Sequence, residues 1–241
     1  MKPWIALLLS LAAAPSHAVD AVAPKATMPA LTHPWSAAEF QTAIDMIVSG
    51  QAPEPFYTIE SGKATLNRIT SPANFASLQD AGVPLTKRIH DAGVFDKETA
   101  MLLNRYIASA NRGEKVHAEL AAVAALLLNT EAMADGLVDQ GRRGAKNPSD
   151  AKLTALAQSC GAGAERSFVD VLGLLGAPGL LTPAEKSMLL TAIATNLAPV
   201  NALMTPVVRN DLKANLEARR KSTTDAADLK RLDQAIQQLA G

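Results

Sequence analysis

Cys160 is the only cysteine in the chain, and Gly161 and Gly163 follow it closely, a setting that would suit a thiol nucleophile with an oxyanion loop. A thiol nucleophile needs a base. The sequence places no histidine beside Cys160, because His33, His90 and His117 are scattered. Leu153, Leu156 and Cys160 instead share helical spacing. That predicts a small buried hydrophobe whose thiol stays protonated and unreactive. A lone cysteine also leaves the fold without an internal disulfide.

Metal and phosphate chemistry find no framework. His117 and Glu119 form a His-x-Glu, but the Pro-Cys-x-x-Cys that would complete a zinc deaminase site is absent. There is no His-Glu-x-x-His and no calcium loop of alternating acids. Gly62-Lys63 has Tyr57 where a phosphate loop needs glycine, and haem attachment through Cys-x-x-Cys-His is impossible with one cysteine. No metal, cofactor or catalytic residue is therefore assigned from spacing.

One acid remains. Ile59-Glu60-Ser61-Gly62 resembles the Glu-Ser segment that carries the general acid of the lysozyme-like lytic transglycosylases. The resemblance implies an exported, largely helical, peptidoglycan-cleaving enzyme in which Glu60 protonates a glycosidic oxygen. It covers these few residues only. The Gly-Leu-Met-Gln stretch of that family is missing, and aromatics, which a sugar groove uses, make up 4% of the chain.

A contact surface is the competing expectation. In Val171–Leu181, Pro178-Gly179 fits the centre of a type II turn and is flanked by leucines on both sides. An exposed apolar turn would make Leu175, Pro178, Leu180 and Leu181 a partner-binding patch. The alternative is that the leucines after the turn fold back onto the helix before it.

These residues must be carried by helices. Alanine is roughly a fifth of the chain, and alanine and leucine favour helix whereas strands want β-branched and aromatic residues. The expected fold is all-α, a multi-helix bundle of about nine or ten helices, with at most a short strand near 56–60. Helix starts are marked at Ser36, Ser71, Asp96, Thr182, Thr205 and Asp225, and stops at Gly50, Gly82, Gly93 and Gly113; two further helices are expected at about 150–160 and 164–175, and the helix from Thr182 is expected to end before Pro199. The apolar run Leu120–Leu128 predicts a central buried helix over 114–140. Residues 187–208 carry no charge, but Pro199, Pro206, Asn196 and Asn201 favour a buried helix pair over a membrane span.

The chain divides on paper into a signal peptide (1–18), a flexible leader (19–34), an N-terminal helical half (35–140), a basic linker (141–149) and a C-terminal bundle (150–241). The signal is Lys2, an apolar core over Trp4–Ala14 that is too short to span a bilayer, and Ser16-His17-Ala18 as cleavage site. Cleavage would leave 22 basic against 23 acidic residues, so no overall field would attract nucleic acid. The expected role is non-enzymatic: a periplasmic or secreted protein that binds an envelope protein or an apolar ligand, as a chaperone, inhibitor or immunity factor would.

Overall fold

A computed structural model describes residues 27–145 and 151–240. The signal-peptide and cleavage readings fall outside the described residues, as do the first part of the leader (19–26), the last four residues of the expected linker (146–149) and residue 150. The helices are α1 (Ala37–Val48), α2 (Glu60–Ile69), α3 (Ala76–Gln79), α4 (Leu85–Asn111), α5 (His117–Gly144), α6 (Ala151–Gly176), α7 (Pro183–Asn201), α8 (Pro206–Ser222) and α9 (Ala226–Gln238). With α3 only one turn long, eight full helices stand among the described residues, and no strand does.

The all-α reading holds, and the count is lower because glycine was read too strictly as a stop. Gly50 and Gly113 do end helices, with φ of 76° and 81°. Gly93 stays helical inside α4, which fuses two expected helices into one. Gly161 and Gly163 likewise continue α6 where a break between two helices was expected. Asp96, expected as a cap, is therefore carried into the middle of α4. Residues 56–60 hold no strand. Glu60 opens α2, where the Cα of Gly62 lies so close to the Phe56 backbone that a Cβ would come within 2.6 Å of it.

Polar starts behave as their chemistry dictates. Ser36 with Glu39, and Thr182 with Glu185, form reciprocal capping boxes, and Thr205 and Asp225 accept backbone N–H bonds at the starts of α8 and α9. Ser71 makes no such bond, and Pro72–Phe75 is a 3₁₀ turn leading into α3. The helix expected to stop before Pro199 runs on to Asn201; proline in the final turn sacrifices little of the hydrogen-bond ladder.

α5 is the axis of the fold, packed by α4, α6 and α7; α1 lies on α4, and α9 on α7 and α8. By length and composition α5 is apolar enough to cross a membrane, but here protein covers most of it. One contiguous set of buried side chains runs from Trp35 to Leu239. Its N-terminal end holds Phe40, Phe75 and Phe95 edge-to-face, with centroids 4.8–6.3 Å apart. The described part of the leader is pinned: Trp35 Nε1–H donates to the Ala30 carbonyl, and Arg68 donates to that of Leu31. α5 also continues through Gly141–Gly144, where the linker was expected to begin.

Candidate functional site

Two places on α5 combine polar and apolar groups in ways ordinary packing does not require. The first is an open groove of about 510 Å³ between α2, α5 and α7. Its floor is one face of α5, Ala118, Ala122, Ala125 and Leu126. Leu66, Asn67 and Thr70 of α2 form one wall, and Glu185 and Met188 of α7 form the other. Alanine is what makes the face concave. Ala122 and Ala125 leave surface open where the leucines of the same helix are buried.

Tyr57 closes one end of the groove and is held there by its backbone. Its N–H donates to buried Glu119 at 2.6 Å, and Lys63 Nζ lies 5.5 Å from its ring centroid. The loop before it is anchored too: Arg105 pairs with Glu54 at 2.5 Å, and the Tyr106 hydroxyl donates to the Pro55 carbonyl at 2.9 Å. The ring itself is 47% exposed and Met188 is 45% exposed, so two large apolar side chains face solvent across one groove. Glu185 is the only charged lining residue. Burial would raise its carboxyl, but the backbone of Thr182 and the His117 ring at 2.6 Å outweigh that and hold it below the usual range. The groove thus offers apolar surface and neutral amides, with one carboxylate, Glu185, bonded to the His117 ring at its wall.

The second place is buried at Glu131 and Asp135 and half-buried at Asp96. Asp96 of α4 and Glu131 and Asp135 of α5 lie at the interface with α6. Thr130 donates to Asp96 at 3.2 Å, and Ser167 donates to Glu131 at 2.8 Å. Asp135 has no exposed surface, and the only donor beside its oxygens is the weak one of the Cys160 thiol. Burial pushes Asp96 up to about 7; burial and then the Asp96 charge push Glu131 to about 8 and Asp135 to about 7. Among the described residues no group of histidine, cysteine, aspartate and glutamate is arranged to hold a metal ion.

The residues singled out by sequence lie elsewhere. Cys160 is half-buried beside Asp135, and burial followed by the nearby carboxyls raises its thiol to about 12. Its expected stripe does not form as drawn, since Leu156 is 36% exposed. Glu60 stands in solvent at the first turn of α2, outside the groove, with no apolar wall around it. Pro178-Gly179 does form the turn, with Gly179 at φ 71° and the Leu180 N–H bonded to the Ala177 carbonyl. Leu175 and Leu181 are in the core, Leu180 is half-buried against it, and Pro178 is exposed. The patch left to a partner at this turn is therefore Pro178 and part of Leu180.

The groove was missed because Leu120–Leu128 reads as apolar all round and suggests uniform burial. The usable signal was the spacing of Ala118, Ala122 and Ala125, small residues on one face of an otherwise leucine-rich helix. The buried carboxyls had a plainer one: Glu131 and Asp135 sit one turn apart on a helix apolar enough by length and composition to cross a membrane.

Compared with protein-family models, curated proteins and solved structures, the chain matches none of them.

Proposed function

We propose that this chain is an exported protein of the cell envelope that works by binding, in the manner of a chaperone, inhibitor or immunity factor. Its ligand places uncharged, apolar groups in the groove between α2, α5 and α7. The groove carries the proposal: a volume of about 510 Å³ is of ligand-pocket size, and two of its lining residues, Tyr57 and Met188, are large apolar side chains left exposed to solvent. The pattern at residues 1–18 supports export. The Pro178 and Leu180 turn is a second, smaller contact in the same reading.

The uncharged apolar dye Nile red tests the groove directly. Native protein is expected to bind one equivalent with a blue-shifted emission. Ala122→Trp fills the floor and is expected to weaken binding at least tenfold with little change in melting temperature, because Ala122 borders open space. Glu60→Gln should leave binding unaltered. Dye binding that survives Ala122→Trp unchanged would remove the groove from the account.

A further inference from the structure

We propose that Asp96, Glu131 and Asp135 form a pH-operated latch that holds α6 against α5 while the three carry their protons and lets α6 lift as they lose them. The geometry is that of neutral carboxyls. Asp135 has no exposed surface and only the Cys160 thiol, a weak donor, beside its oxygens, and Glu131 is 4% exposed with the Ser167 hydroxyl as its partner. A buried, unpartnered carboxylate is costly to ionise, and three together repel.

Among the described residues the neighbours supply no positive charge to offset that of the carboxylates. From α4 the facing group is Asp96 itself, and from α6 it is the Cys160 thiol, which adds no positive charge. Arg166 of α6 acts on Asp170 and not on the three. Among the described residues neither α7 nor α8 brings a charged group to bear on them. Ionisation therefore calls for water, and α6 is the wall that can yield. α6 joins the common core through Ala164, Phe168, Val171, Leu172 and Leu175, but where it meets these carboxyls it presents small groups, Cys160, Gly163 and Ser167, so its N-terminal half is the part that can lift. A Cβ on Gly163 would lie 3.3 Å from Glu131, so α6 stands close and any lift admits solvent directly.

Cys160 reports the opening. Its alkylation by iodoacetamide, measured from pH 6 to 8.5 and divided by the rate for free glutathione at each pH, removes the ordinary gain in thiolate. The normalised rate is expected to rise at least tenfold, and amide protection factors, each taken against the intrinsic exchange rate at that pH, to fall with it in 151–163 but not in α1 or α4. In Glu131→Gln/Asp135→Asn, both changes should vanish. A flat normalised rate in the native protein would overturn the latch. So would a rise that persists in the variant, or protection factors that fall throughout the chain, which would be global unfolding. The exchange pattern is read on the native protein, so the test stands even where the variant folds poorly.

Discussion

Between pH 5 and 8.5 the melting temperature is expected to fall by about 10 °C, and Asp96→Asn/Glu131→Gln/Asp135→Asn to abolish most of that fall. The sign follows from proton binding. In the unfolded chain these groups titrate near pH 4, whereas in the fold they are raised to about 7, 8 and 7, chiefly by burial. The native state therefore holds protons that the unfolded state releases. Their stabilisation is complete below about pH 4 and is lost as pH rises through 7 to 8. Because the three interact, the sum is smaller than three independent shifts, of order 5 kcal/mol. Asp91 and Glu185 work in the opposite direction: their carboxyls are held low, so their contribution is lost in acid. Stability should peak near pH 5. A melting temperature that is level from pH 5 to 8.5, or a slope that the neutral variant keeps, would contradict the burial described for Asp135. Thermal melts followed by circular dichroism across this range give the answer.

The second large effect is steric. A Cβ on Gly161 would come 2.2 Å from the Leu203 carbonyl oxygen, a contact with backbone that no rotamer can relieve. Gly161→Ala is expected to cost about 3 kcal/mol, because α6 must move off the α7–α8 connection. Gly173 lies on the same helix with nothing within 4 Å of its would-be Cβ. Gly173→Ala should therefore stabilise by about 0.5–1 kcal/mol through the lower backbone entropy of alanine. Urea denaturation of the two variants should move in opposite directions. A neutral Gly161→Ala would mean that α6 does not approach the α7–α8 connection as closely as described.

The same two glycines show where sequence reasoning ran short. A glycine can mark a helix end because it tolerates positive φ, as Gly50 and Gly113 do, or allow another backbone to come near, as Gly161 does. Local sequence does not separate these uses, so α4 and α6 were each expected as two helices. Capping is different, since the bond is made within four residues. Ser36, Thr182, Thr205 and Asp225 were legible for that reason. Asp96 has the same kind of side chain but sits mid-helix under Thr130, a partner 34 residues away. The groove depends on contacts at still longer range: Tyr57 is fixed by Glu119, and Met188 reaches the rim only once α7 lies on α5. The leucines around Pro178-Gly179 were legible as apolar, but whether such a turn is a contact or a fold-back is settled by what α6 packs on. Leu175 and Leu181 are taken by the core.

Photo-crosslinking from the groove in intact cells tests most directly whether this chain acts by binding there. A photoreactive phenylalanine analogue replaces Met188 at the groove and, as a control, Val207, which is 68% exposed and does not line it. Irradiated cells are fractionated, and adducts are mapped by mass spectrometry. The account predicts one dominant adduct from position 188, in the envelope fraction, that disappears when Ala122→Trp is added, with no counterpart from position 207. No adduct from position 188, or the same adducts from both positions, would contradict it.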